Sequence, residues 1–197
     1  MAASRIVQSS SRLVTIVVTI VALGLISSCG SSVRHKSVRE FDGAQPYKIA
    51  LLPLTNLTTD PSAADVLGSA LAVEMLSTPG FQIVDAVAVI SALSRHRIRY
   101  ADRMNSEQFA ALGEELNVDG ILVGAVHAYE YRQEEAGPVP VVSMHARIVD
   151  IAEGEILWVA EQTRVGTDGE FILGIGLEKS LTRLGAQVAR DIVETLH

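Results

Sequence analysis

Two kinds of side chain in this 197-residue sequence could do chemistry: a single cysteine, Cys29, and the five histidines His35, His96, His127, His145 and His197. One cysteine rules out an intrachain disulfide and any multi-cysteine zinc or iron–sulfur site. Among the histidines, His127 and His145 stand out because a β-hairpin centred on Ala136 would set them opposite each other. Cross-strand partners lie about 4.5–5.5 Å apart at Cβ, close enough for two imidazoles to share a metal or a proton. Zinc takes three or four ligands, and no cysteine or aspartate nearby in sequence completes the set. The pair reads as an ordinary sheet-surface pair, with metal or proton chemistry as the alternative. No HExxH, Gly-x-Ser-x-Gly or Walker loop occurs. Gly174-x-Gly176 lacks the preceding strand and the third glycine of a phosphate-binding turn. No catalytic residue is assigned, and the chain reads as a non-enzyme without a bound cofactor.

Composition narrows the classes further. Hydrophobic residues make up 48% of the chain, which argues against a purely disordered polypeptide. The formal net charge of -7 argues against nucleic-acid binding, which needs a basic face. Mean hydropathy is high, at +0.30, and much of the excess lies in the run LVTIVVTIVALGLI from Leu13 to Ile26. Arg5 and Arg12 precede this run, and no acidic residue appears before Glu40. A basic start, about 14 apolar residues and small residues after them describe an export signal. The run is shorter than the roughly 20 residues of a membrane-spanning helix.

At its end stand Ile26, Ser27, Ser28 and Cys29, a sequence that resembles the lipobox of bacterial lipoproteins. The resemblance implies cleavage before Cys29, a diacylglycerol thioether on its sulfur and an N-acyl chain, such as palmitate, on the new amine. Residues 1–28 are then the signal peptide. One buried acyl chain anchors only marginally, whereas two or three, at about 0.8 kcal/mol per methylene, hold firmly. Lipoproteins kept at the inner membrane usually carry Asp after the cysteine; here Gly30 follows. The implied destination is the outer membrane, on its periplasmic face. Loss of the leader removes two basic residues and no acid, leaving 14 basic against 23 acidic residues, a net charge of -9.

Residues 29–46 are rich in Ser, Gly and charge, without apolar periodicity, and read as a flexible tether reaching about 55–60 Å when extended. The domain is expected over 47–197. Tyr47 to Leu54 carries a buried-strand run, and Asp60-Pro61 suits an N-cap with proline at the first helical position. Pro79-Gly80 stops that helix, Phe81 to Val84 reads as a strand, and Asp85 caps a second helix to about Ser94. Asn105 and Gln108 offer a capping box for a helix ending near Leu116. Gly120–Tyr131, Pro138–Ile151 and Ile156–Val165 read as a three-strand meander, and leucines, Val188 and Ile192 recur at helical spacing to Leu196. The expected fold is one α/β (α+β) domain, three-layer in outline. Its mixed sheet has about five strands with flanking helices, in the order β-α-β-α-α-β-β-β-α.

Three segments together carry a family resemblance: IALLPLTNLTTDPSAADVLGSALAVEML, LGEELNVDGILVGAVHAYEY and VVSMHARIVDIAEGEILWVAEQT. They resemble the CsgG-like curli-secretion lipoproteins and the TolB amino-terminal domain, a fold shared by LpoB-like activators of peptidoglycan synthases. Curli-channel members carry long barrel-forming hairpins. Here the candidate insertion is only Arg132 to Val139, against about 9–11 residues for each membrane-crossing strand, so no pore is expected. The resemblance implies a non-catalytic binding or assembly factor in envelope export or biogenesis, docking an envelope protein or a second copy. The alternatives are activation of a peptidoglycan synthase, or a metal-binding or hydrolytic enzyme using His127 and His145. Trp158, Tyr129 and Tyr131 are the candidate interface aromatics, since such residues dominate interface hot spots.

Overall fold

The computed structural model describes residues 33–38, 41, 46–135, 137–169 and 177–196. The export leader, the residues 26–29 and Gly174-x-Gly176 lie outside the described residues. Everything below concerns the unit 31–197.

Local sequence signals place most elements. After a first short strand, β1 (Arg34–Ser37), strand β2 (Tyr47–Leu51) leads through the two-residue β3 (Thr55–Asn56) to helix α1 (Ala63–Ser77). This helix starts after Ser62 and not at Pro61, because Asp60 is used differently from a cap. Its Oδ1 accepts from the Ser62 amide at 2.8 Å and the Ser62 hydroxyl at 2.7 Å, closing a tight turn ahead of the helix. Strand β4 (Phe81–Ile83) follows, then α2 (Ala86–Arg95). Asp85 caps α2 as expected, accepting from the amides of Val87 and Ala88. A 3-10 turn, Ala101–Arg103, precedes α3 (Ser106–Leu116), whose capping box joins Asn105 and Gln108 in both directions. Then come β5 (Gly120–Glu134), β6 (Gly137–Asp150), β7 (Ile156–Val165) and α4 (Leu181–Glu194), whose N-cap Ser180 accepts from the Arg183 amide.

The sheet has seven strands, in the order β1-β7-β6-β5-β2-β4 with β3 added beside β5. Strands β2, β3, β4 and the start of β5 run parallel, while β5, β6, β7 and β1 alternate antiparallel. Helices α1 and α4 cover one face, burying Ile49, Leu122, Val126, Met144, Ile148 and Trp158. Helices α2 and α3 cover part of the other, over Ala50, Leu52, Ile121, Val123 and Val149. Asp150 ties three elements together: its carboxylate accepts from Tyr47 Oη on β2 at 3.0 Å and from the Glu153 amide in the β6–β7 turn at 3.0 Å.

Two strands exceed the five expected, and one lies in the stretch read as tether. Strand β1 pairs antiparallel with β7, matching Arg34 to Glu161 and Ser37 to Trp158. All four of its side chains are exposed, so it has no apolar alternation to announce it, and backbone pairing with β7 places it at the sheet edge. Beyond it Phe41 is buried, with its ring 5.3 Å from Tyr47 and 4.9 Å from Phe81. The folded domain therefore begins near Val33, ahead of Tyr47. The β5–β6 hairpin is also longer than expected, closing at Glu134–Gly137, so most of the stretch read as a polar loop continues the ladder.

Gly124 marks the tightest approach in the hairpin, since a Cβ there would lie 2.4 Å from the His145 carbonyl oxygen. Gly68, on α1, would meet only Leu54 at 3.9 Å. Gly124→Ala should therefore lower unfolding free energy by about 1–3 kcal/mol. Gly68→Ala should raise it by roughly 0.5–1 kcal/mol, both read from chemical-denaturation midpoints.

Candidate functional site

The two histidines do meet, though not in the expected register. His145 pairs directly with Ala125, and the ladder shifts by one between Val126 and Ala128, leaving His127 as the extra residue of a β-bulge. The contact is therefore diagonal. His127 Nε2 lies 2.7 Å from His145 Nδ1, with ring centroids 5.0 Å apart and planes tilted by 30°. At that distance one ring nitrogen donates to the other, so the pair shares a proton.

Both rings sit on the sheet face opposite α1 and α4, past the edge of the α2–α3 layer. The row through His145 runs Arg34, Glu161, His145, Ala125 across β1, β7, β6 and β5. On the same face Ser143 Oγ and Thr163 Oγ1 are 2.8 Å apart, and Arg147 follows two residues after His145. Asp102, from the 3-10 turn, faces the pair as well and accepts from Thr55 Oγ1 at 2.9 Å. His127 is exposed and His145 half-buried. Burial, with the repulsion of His127 and Arg147, holds the His145 imidazole below its ordinary titration range against the opposing pull of Glu161 and Asp102. Among the described residues no group of three His, Cys, Asp or Glu converges to hold a metal. His96 is engaged elsewhere: its Nε2 is 2.7 Å from Glu115 Oε2, and Arg95 pairs with the other carboxylate oxygen, joining α2 to α3.

Two of the three candidate interface aromatics are core residues. Trp158 is fully buried and donates from Nε1 to Thr195 Oγ1 at 3.0 Å, because its side of β7 packs under α4. Tyr129 is buried in the same core. Only Tyr131, 53% exposed, stays on the surface, its hydroxyl donating to the Lys179 carbonyl.

A group of exposed apolar side chains lies where the aromatics did not point. Val73 and Leu76 on α1 and Val87 and Ile90 on α2 are 55–70% exposed. Between these helices a cleft of about 360 Å³ is lined by Leu52, Leu54, Gly68, Ala72, Val89 and Ile90. The signal for it was present in AADVLGSALAVEMLS, whose apolar residues are spread around α1 and interrupted only by Asp65, Ser69, Glu74 and Ser77, where a surface helix usually has a polar stripe.

A lowered folded-state pKa at His145 means that its contribution to stability is complete above the unfolded value, near 6.5. It is lost as pH falls through that value toward the folded one. His127→Ala removes one source of the depression. The His145 ring resonances, followed by NMR against pH, should then titrate at a higher midpoint than in the unsubstituted protein.

No curated protein matches the chain. Among solved structures it is similar to the PelC dodecamer from Paraburkholderia phytofirmans, with TM-score 0.55 and 20% identity over 84% of this chain and 96% of that one. CT253 from Chlamydia trachomatis matches with TM-score 0.50 and 12% identity, over 76% of this chain and 95% of that one. Lipoprotein GNA1162 from Neisseria meningitidis matches with TM-score 0.49 and 20% identity, over 60% and 80% respectively. At these identities the likeness is one of fold. Residues 37–195 match the family model described as "Putative lipoprotein GNA1162-like". The chain thus belongs to the GNA1162-like family of lipoproteins.

Proposed function

We propose that this protein is a non-catalytic assembly factor of the bacterial envelope, lipid-anchored through Cys29 at the periplasmic face of the outer membrane. It acts in export or biogenesis by docking copies of itself through the α1–α2 surface. The observation that carries the docking role is the apolar cleft between these helices, lined by Ala72 and Ile90, with Leu76 exposed about one turn beyond Ala72 on α1. A contiguous exposed apolar patch on an otherwise acidic domain marks an interaction surface. The resemblance of three segments to CsgG-like lipoproteins and the likeness of fold to a PelC dodecamer support an assembling role. Membership in a lipoprotein family supports the anchor, as does the order Ile26, Ser27, Ser28, Cys29. Confinement to one membrane face raises the effective concentration of one copy near another, so modest contacts suffice for assembly.

Two experiments bear on separate parts of this reading. Light scattering of the full chain in detergent should give a mass of several copies, and Leu76→Glu with Ile90→Glu should reduce it to one. An unchanged mass in the double variant sinks the docking surface. Labelled palmitate should be incorporated by the unsubstituted chain and lost on Cys29→Ser; retention of label sinks the anchor.

A further inference from the structure

We propose that His127 and His145 form a two-imidazole binding site for a late first-row divalent ion, Cu(II) foremost, on the open face of the sheet. Water would hold the remaining coordination positions.

The geometry carries this. Two nitrogens, Nε2 of His127 and Nδ1 of His145, converge to 2.7 Å at the surface, held by the hydrogen bond between them. Metal–imidazole bonds are about 2.0–2.1 Å, so two nitrogens bound side by side to one ion stand about 3 Å apart. The rings need to part by only a few tenths of an ångström. His145 is held half-buried in the ladder, while His127, exposed on the bulge, is free to make that adjustment. Bulges commonly re-aim one side chain in this way.

The donor set selects the ion. Imidazole suits copper, nickel and zinc, whereas calcium, magnesium and manganese prefer carboxylate and carbonyl oxygen. With no third protein ligand among the described residues, a dedicated zinc cage is absent, and copper binds nitrogen donors most strongly in the divalent series. Opposite His145 in the ladder stands Glu161, itself paired with Arg34; Arg147 follows on β6, and Asp102 approaches from the 3-10 turn. These two carboxylates favour a bound cation, and Arg147 opposes it. Protons balance without net release. The ring that donates in the apo pair moves its proton to its other nitrogen, by exchange with water, and both facing nitrogens then offer lone pairs.

The test uses the full chain in detergent, stripped of metal and titrated with Cu(II) alone. One equivalent should bind, with an electron paramagnetic resonance spectrum showing two equatorial nitrogens. His127→Ala and His145→Ala should each weaken binding by about tenfold to a hundredfold, a range typical of disrupted metal sites. His96→Ala, whose ring is engaged with Glu115, should leave it unchanged. Circular dichroism identifies any variant that fails to fold. In the unsubstituted protein, sub-stoichiometric Cu(II) should broaden the ring resonances of His127 and His145 ahead of the other histidines, a readout that needs no variant. Failure to bind one equivalent, binding as tight in folded His127→Ala or His145→Ala as in the unsubstituted protein, or first broadening at His35 or His96 would overturn the site.

Discussion

The molecule is organised around the unequal covering of one strand. Along its first half, β5 is buried on both faces. Ile121 and Val123 face α2 and α3, while Leu122 and Val126 face α1 and α4. That region is flanked by the parallel strand β2 on one side and by β6 on the other, so it reads as a continuous apolar run. Beyond Val126 the α2–α3 layer ends, and only the α1–α4 side remains covered. Tyr129 turns inward there, while His127 and Glu130 reach the surface. The bulge sits at this transition, where the ladder passes from a three-layer to a two-layer environment.

Two surfaces of opposite character follow. The open sheet face carries polar and charged side chains in cross-strand rows, among them Glu161, Thr163, Ser143 and the two histidines. It needs little covering, because alternation sends most of the apolar residues of β6 and β7 to the other side, Val159 being an exposed exception. The α1–α2 cleft is different. Strand β4 is only three residues long, so the two helices project past it with little sheet between them. Val73 and Leu76, on the outer side of α1, are then left exposed among the described residues.

Elements with a local physical signature were legible in the chain. Caps at Asp85 and Asn105 are side-chain-to-amide bonds made within three residues, and both stand where the sequence puts them. The third meander strand, Ile156–Val165, follows from a tight Glu153-Gly154 turn and alternating residues. Strand β1 was illegible for the converse reason: an edge strand with exposed side chains carries no apolar pattern, and its ladder partner lies more than a hundred residues away. Asp60 looked like a cap and is a turn residue, because its short carboxylate can satisfy either set of amides and the choice depends on how the chain enters α1.

By itself, then, the sequence determined the order of helices and strands, the mixed α/β class and the candidacy of His127 and His145, since caps, turns and periodicity act over a few residues. Tertiary structure decided what those residues became. It set the register that makes the histidine contact diagonal, drew Trp158 and Tyr129 beneath α4, and recruited Arg34–Ser37 to the sheet edge. It also left the outer side of α1 bare. Each of these outcomes depends on which distant surface covers which, and neither a bulge of one residue nor the place where a helix layer stops covering a strand leaves a mark on local sequence.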